Sequence, residues 1–313
     1  IITDSENAEK VDGVADACPL LETLFLVDGE RDGWASYLHE IDYPAPVSRH
    51  TVSMPVAKRT KSTDPMMIYF TSGTTGEPKM VLHNQGYPLG HIITASLWQD
   101  LTPNDLHLTF SDTGWAKCAW GKIFGQWIAG ACIFVYDIQG KFGATELLPL
   151  IEKYEVTTFC APPTVYRMLI LADLDKFDFR NLRHCCSAGE PLNPEVIRVW
   201  QDGTGQPIYE GYGQTETVCC IATFPCMEHK PGSMGRPVPG WHIELHDDDG
   251  NPVGAGEEGK IAVSLNPRPV GLFMEYLDNP EANCESFQNG FYYTGDKARM
   301  DEDGYLWFIG RSD

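Results

Sequence analysis

Basic residues are scarce: 23 lysines and arginines stand against 44 aspartates and glutamates, a formal charge of −21. A chain this acidic has no broad positive field to neutralise many phosphates at once, which argues against a nucleic-acid or anionic-membrane surface. An anionic small molecule must then be held by local donors and a metal. The ten cysteines contain no CxxC pair, and Cys185-Cys186 and Cys219-Cys220 are direct neighbours. Neither zinc spacing nor a disulfide framework fits that pattern, so buried reduced thiols in a cytosol-like compartment are expected. No apolar run reaches the roughly 18 residues of a membrane span; the best, Trp127 to Tyr136, is interrupted by Gly130. Internal repeats and coiled-coil heptads are absent. The opening Ile1-Ile2-Thr3 carries no signal- or transit-peptide pattern, and a longer parent protein is expected.

What is present is ordinary for a packed enzyme. Apolar residues make up 42%, aromatics 11% and charged residues 21% of 313 positions, enough for a sizeable core. Residues 1–65 are mixed: Leu24–Val27 reads as a strand, Trp34–Ile41 as a short helix, and Pro44–Pro65 as a long exposed connection. From 66 to about 231, strand-length apolar runs (Leu106–Phe110, Ala131–Tyr136, Thr157–Cys160, Arg183–Ser187) alternate with helical patterns (Lys117–Ile128, Ala144–Tyr154, Pro163–Ala172, Pro194–Gln201). Such alternation predicts an α/β fold with a mostly parallel sheet and helices on its faces. Residues 232–313 hold short strand patterns (Ile243–His246, Gly259–Ser264, Tyr305–Ile309) between Gly/Asp/Asn turns, and predict a small all-β unit with hairpins.

The most informative string is Thr71-Ser72-Gly73-Thr74-Thr75-Gly76-Glu77-Pro78-Lys79, directly after the apolar run Met66–Phe70, which reads as a buried strand. Glycines let backbone N–H groups approach an anion, hydroxyls add donors, and Lys79 adds charge, so the loop suits phosphate. It is not a Walker A loop, because Gly73 and Gly76 are too close and no Lys-Ser/Thr follows the second glycine. Its bland reading is a polar turn. Four more strings repeat the choice between ligand site and local turn. Ser187-Ala188-Gly189-Glu190-Pro191-Leu192 ends a predicted strand, where open α/β sheets bind ligands; alternatively it starts a helix. In Tyr209-Glu210-Gly211-Tyr212-Gly213-Gln214-Thr215-Glu216-Thr217, Tyr212 offers a purine an aromatic face, and Thr215 and Glu216 offer Mg²⁺ oxygen ligands; alternatively the tyrosine is core and Glu216 begins a helix. Asp296, in Tyr293-Thr294-Gly295-Asp296, can accept ribose hydroxyls or form an Asx-turn. Arg311, in Gly310-Arg311-Ser312-Asp313, adds a charged fork or is a surface arginine. His83, His107 and His184 read as structural.

This ordered set resembles the adenylate-forming superfamily of acyl-CoA synthetases, luciferases and peptide-synthetase adenylation domains, over about residues 66–313. Ser111-Asp112-Thr113-Gly114-Trp115, the Tyr212–Thr217 string and Asp301–Arg311 look most like medium-chain acyl-CoA synthetases. The resemblance implies stacked, mostly parallel α/β sheets of that N-terminal domain, incomplete here, with a β-rich subdomain. It implies that Thr71–Lys79 holds the β- and γ-phosphates, that Gly189, Glu190, Pro191 and Tyr212 embrace adenine, and that Asp296 and Arg311 hold ribose. Glu210, Gly211, Gly213 and Gln214 complete the nucleotide-contacting segment. Thr215 falls at the α-phosphate and substrate carboxylate, Glu216 on Mg²⁺, and Trp115 with Gly213 beside the acyl pocket; Thr215, Glu216 and Lys79 are the catalytic candidates. In acetate-specific relatives a tryptophan stands where Gly213 does here, so an acid larger than acetate is expected.

The implied reaction uses ATP, Mg²⁺ and coenzyme A: a carboxylic acid becomes an acyl-adenylate, then a thioester. The family's C-terminal domain, with the lysine that drives adenylation, follows the hinge that falls at Asp313. The piece in hand is therefore expected to bind nucleotide with little turnover. Rival readings are an aryl- or amino-acid-adenylating ligase, for which Asp112 is the one candidate amino-group partner, and a non-catalytic nucleotide-binding module. Small-molecule partners, no membrane span, an oligomer as an open option, and a cytoplasmic or mitochondrial-matrix location complete the expectation.

Overall fold

The computed structural model describes residues 1–37, 60–71, 78–112, 114–136 and 143–312. Two compact units divide the chain, Ile1–Arg59 and Thr60–Asp313. In the first, strands β1 (Ile2–Thr3), β2 (Phe25–Leu26) and β3 (Ala35–Ser36) form a small parallel sheet beside helix α1 (Ser5–Ala15). Asp4 caps that helix by accepting the Asn7 N–H at 2.9 Å. The strand expected at Leu24–Val27 is present. The helix expected over Trp34–Ile41 is not seen at Ala35–Ser36, which pair with β2, and its remainder from residue 38 lies outside the described residues, as does the connection from Pro44 to residue 59.

The larger unit is built around a seven-stranded sheet. Its parallel part runs β10 (Ile208–Tyr212), β9 (His184–Ala188), β8 (Thr158–Ala161), β6 (Leu106–Thr109), β7 (Cys132–Ile133). Two short antiparallel strands, β11 (Ile221–Ala222) and β12 (Arg236–Pro237), continue it beyond β10. The strands read as unbroken apolar runs because both faces are covered. Alternate residues then serve different cores: Phe159 and Cys185 belong to one cluster, Cys160 and Cys186 to the other. That alternation explains Cys185-Cys186 without a disulfide, whereas Cys219 and Cys220 both lie in the second cluster. All ten are free, and six are buried; Cys18, Cys132, Cys226 and Cys284 are exposed, against the expectation of uniform burial.

Two helices, Pro194–Thr204 and Pro280–Ser286, begin with both a polar cap and a proline. Asn193 precedes Pro194–Thr204 and accepts the Glu195 N–H at 2.9 Å. The single helix expected over Lys117–Ile128 is two, Ala116–Lys122 and Phe124–Ala129. The backbone leaves helical geometry at Ile123 (φ −119°, ψ −77°) between them, and Gly121 and Gly125 on either side each pack tightly against a different neighbour. A Cβ on the first would lie 2.4 Å from Thr109, and on the second 2.6 Å from Ala95.

Beyond 232 a second sheet carries β13 (Ile243–His246), β14 (Glu258–Ser264), β17 (Phe291–Met300) and β16 (Phe287–Gln288), with β18 (Leu306–Arg311) paired to β17. The segment is not all-β, because helix Pro280–Ser286 lies within it. Nor is it separate in hydrogen bonding, since β12 joins the large sheet. Likewise β15 (Glu275–Tyr276) joins a third sheet with β4 (Pro65–Thr71) and β5 (Lys79–Asn84).

Candidate functional site

The hydroxyl-rich string connects two antiparallel strands. Thr71 ends β4, Lys79 begins β5, and the two are cross-strand partners. Ser72, Gly73, Thr74, Thr75, Gly76 and Glu77 lie outside the described residues; Pro78 is described. The preceding strand is only half-buried, with Phe70 68% exposed. Its sequence is apolar because it borders a cavity as well as a core: Phe70 and Thr71 line the pocket that also holds Trp115.

A cleft opens at the C-terminal ends of two adjacent parallel strands, the place where open α/β sheets bind ligands. Ala188 ends β9 opposite Gly211 of β10. Gly189 follows at φ +109°, a conformation that a side chain would strain. A cleft of about 260 Å³ there is bordered by Gly189, Glu190, Pro191, Glu210, Tyr212 and Arg311 among others. Glu190 points partly to water and pairs with Arg167 at 2.9 Å. Glu210 is buried and accepts the Gly232 N–H at 2.7 Å; burial pushes its carboxyl up to about 8 against the pull of that N–H and of Leu192. Gly211 is a packing glycine, since a Cβ would lie 2.7 Å from Trp98 and 2.8 Å from Cys219.

Asp296 is not in a turn. It lies inside β17, directly opposite Arg311 of β18, and the chain passes Gly295 at φ +76° to bring it there. Its Oδ2 accepts the Tyr212 hydroxyl at 2.5 Å and Gln214 Nε2 at 2.7 Å, while Oδ1 faces Arg311 Nη1 at 3.3 Å. Burial raises its pKa against those donors. Gln214 in turn accepts from Tyr292 at 3.0 Å, so a buried hydrogen-bonded chain links both strings to the β-rich segment.

Thr215 and Glu216 lie in turns rather than at a helix start. The Thr215 carbonyl is held by His83 Nε2 at 2.8 Å, and the Glu216 carbonyl by the Phe273 N–H at 2.8 Å. Glu216 is 9% exposed, and burial raises its pKa despite the hydrogen bond from Tyr276. Thr71, Lys79, Gln214, Thr215, Glu216 and Arg311 all border one cavity of about 760 Å³. Beside it, a second cavity of about 720 Å³ is lined by Trp115, Trp120, Val165, Gly213 and Thr215. Gly213 does border it, yet a Cβ there would meet the Val218 carbonyl oxygen at 2.4 Å. In this chain a side chain at that position would therefore force the backbone near Val218 to shift, whatever the pocket's size.

Three residues of this region carried no sequence signal. Lys117 is 7% exposed under the same cavity, donates to the Ala188 carbonyl at 2.5 Å, and has its pKa lowered by burial. A lone lysine in the apolar run Ala116–Trp120 was the available clue. Tyr276 and Tyr292 sit among other aromatics of the β-rich segment, with nothing in their spacing to single them out. The histidines are structural, as expected: His107 hydrogen-bonds the Thr158 and Thr109 hydroxyls, and His184 the Trp98 carbonyl.

Comparison with known proteins follows this geometry. The family model described as AMP-binding enzyme matches residues 1–277. Similar curated proteins include the mitochondrial acyl-coenzyme A synthetases ACSM3 of Pongo abelii, 44% identical, and ACSM5 of Homo sapiens, 45% identical. Each match covers 100% of this chain and 53% of the relative, so the chain spans about half the length of the curated relatives it matches. Among solved structures, the anthranilate CoA ligase AuaEII in complex with anthranoyl-AMP aligns with a TM-score of 0.87 at 30% identity, over 100% of this chain and 58% of that one. The luciferase-like enzyme from Zophobas morio mealworm aligns at 0.84 with 20% identity, over 100% of this chain and 72% of that one, and shares the fold. Among the described residues no helix is long and apolar enough to cross a membrane. With a matched span covering most of the sequence, the chain belongs to the AMP-binding enzyme family, the adenylate-forming group its ordered strings resemble.

Proposed function

We propose that this chain is the adenylating part of an acid–thiol ligase that activates a medium-chain carboxylic acid with ATP and passes it to coenzyme A. One observation carries the reading: Lys79, Thr215, Glu216 and Arg311 border one cavity, and Thr215 also borders the mostly apolar pocket beside it. An acid in that pocket would present its carboxylate where the two cavities meet. The names of the similar proteins support the thiol acceptor, and the anthranoyl-AMP complex supports an acyl-adenylate.

In the first half-reaction a carboxylate oxygen attacks the α-phosphorus, and the bond to pyrophosphate breaks with its electron pair leaving on the pyrophosphate oxygen. In the second, the thiol sulfur attacks the acyl carbon, the bond to AMP breaks, and the thiol proton is lost. Both steps rest on orientation and charge neutralisation rather than on a protein nucleophile. Thr71 and Lys79, which border the cavity, would hold the β- and γ-phosphates together with the hydroxyl-rich sequence between them. Gly189, Glu190, Pro191 and Tyr212 enclose the base, and Asp296 with Arg311 meets the ribose hydroxyls. Glu216 fits Mg²⁺, which takes one or two carboxylates together with substrate phosphates; the ion would neutralise phosphate charge. Trp115 and Gly213 flank the acyl group. Of the two expected compartments, the relatives named mitochondrial favour the matrix.

Pyrophosphate release by the full-length protein, measured across aliphatic, aryl and amino acids, tests this. Release with medium-chain acids is expected, and Lys79→Ala should lower it at least tenfold with the fold unchanged. No release with any acid overturns the reading. Release confined to aryl or amino acids replaces the substrate class.

A further inference from the structure

We propose that Tyr276 is a positioning residue that holds the Glu216 carboxylate for a divalent cation and steadies the Lys79 ammonium, so that one side chain sets two phosphate-facing groups in advance. The inference rests on the nucleotide-binding reading above. Tyr276 is 5% exposed and donates its hydroxyl proton to Glu216 Oε1 at 2.7 Å. Lys79 Nζ stands 4.9 Å from the centre of the same ring. All three residues border the one cavity.

The tyrosine is itself fixed from two sides. Its strand pairs with β5, placing Tyr276 opposite Val81, two residues along from Lys79. Its backbone is clamped by Asn283, which accepts the Tyr276 N–H at 2.7 Å and donates to the Tyr276 carbonyl at 2.8 Å. Just upstream, Phe273 N–H holds the Glu216 carbonyl. Backbone and side chain of Glu216 are therefore gripped by one short segment, 273–276, far away in sequence.

The chemistry follows from what each contact allows. A hydrogen bond to one carboxylate oxygen fixes the plane of the group and leaves the other oxygen for a hard cation. An aromatic face beneath an ammonium confines it without neutralising its charge, so Lys79 stays able to meet phosphate. Without the hydroxyl, a buried carboxylate loses a donor and swings among rotamers.

Two variants of the full-length protein separate the contacts. Tyr276→Phe keeps the ring and removes the hydroxyl; Tyr276→Leu removes both. Mn²⁺ affinity of the ATP complex is read by electron paramagnetic resonance, and metal-free ATP affinity by calorimetry in chelator. For Tyr276→Phe, Mn²⁺ affinity should fall about tenfold, in the range for partners of metal ligands, with metal-free ATP affinity within twofold of wild type. Tyr276→Leu should also weaken metal-free ATP binding about threefold, the size of a modest cation–π contact. Wild-type Mn²⁺ affinity in Tyr276→Phe, or equal losses with and without metal, overturns the tyrosine's role alone. A wild-type protein that binds no ATP overturns the reading beneath it as well.

Discussion

Glu210 shows how one buried carboxyl can set a pH response. Folding raises its pKa from an ordinary 4.5 to about 8, chiefly through burial. The folded state therefore binds this proton more tightly than the unfolded chain. Its favourable contribution is complete below about pH 4.5 and is lost as pH rises through about 8. Replacing Glu210 with Gln keeps an acceptor for the Gly232 N–H and removes the titration. Urea unfolding midpoints of the two proteins should diverge between pH 5 and pH 8.5, with wild type losing on the order of 3 kcal/mol relative to the variant. Parallel curves would mean that the carboxyl is ionised in the folded protein. The same string shows what residue types alone convey. Tyr212, Thr215 and Glu216 stood out by residue type and do border cavities, whereas the crowding at Gly213 was not legible, because the Val218 carbonyl is visible only in the fold.

At the scale of elements, the parallel strands and their helices were legible because two-sided burial writes long apolar runs, and prolines mark helix starts. β17 was not. The Thr294-Gly295-Asp296 string looks like a turn, and the register against β14 does shift across it, but the strand resumes because β14 pairs with β17 before and after the string and Asp296 pairs with Arg311 of β18. Tertiary pairing overrides the local signal there. The N-terminal end of the parallel strands carries a second device without a sequence signature. Arg183, just before β9, donates to Asp105 Oδ1 at 2.8 Å and Oδ2 at 2.6 Å, and also pairs with Asp100. Asp105 is 3% exposed and also accepts from Thr102 and Thr157, so its pKa is held well down although burial opposes this. Arg183→Ala leaves that carboxylate without its counter-ion. A loss of about 2 kcal/mol is expected, below the cost for a fully buried pair because the arginine is half-exposed. Chemical denaturation of Arg183→Ala beside Arg183→Ala/Asp105→Asn checks it, and the double variant should recover part of the loss.

For the whole molecule, buried histidines shape acid stability, with His83, His91 and His107 shifted most and His184 and His229 in the same direction. Burial lowers His83 to about 4, and His91 and His107 to about 3. In the unfolded chain each titrates near 6.5. Unfolding then takes up a proton at each position, so stability is full above about pH 6.5 and falls as pH drops towards the folded values. Each neutral histidine contributes about 1.4 kcal/mol per pH unit across that window, opposed in part by Glu210. His91 has no hydrogen-bond partner at either ring nitrogen and stacks on Phe124 at 5.7 Å. His91→Phe should flatten the stability-versus-pH slope between pH 4.5 and 6.5 by about 1.4 kcal/mol per unit, and a slope equal to wild type would show that His91 is not buried neutral. None of this could be taken from a sequence in which histidines are scattered singly.

The third strand of the sheet formed by β4, β5 and β15 limits how such a protein can be recombined. Tyr276 arrives from beyond the compositional change at Gly232, yet it pairs with the strand that begins at Lys79 and grips Glu216 of the central string. A crossover placed anywhere between Glu216 and Phe273 would import a foreign strand against a resident lysine and carboxylate. Segments 79–84, 214–216 and 273–276 are therefore constrained to change together, and a chimera exchanging only the last begins with a Glu216 carboxylate held by a foreign partner, however well its two halves fold.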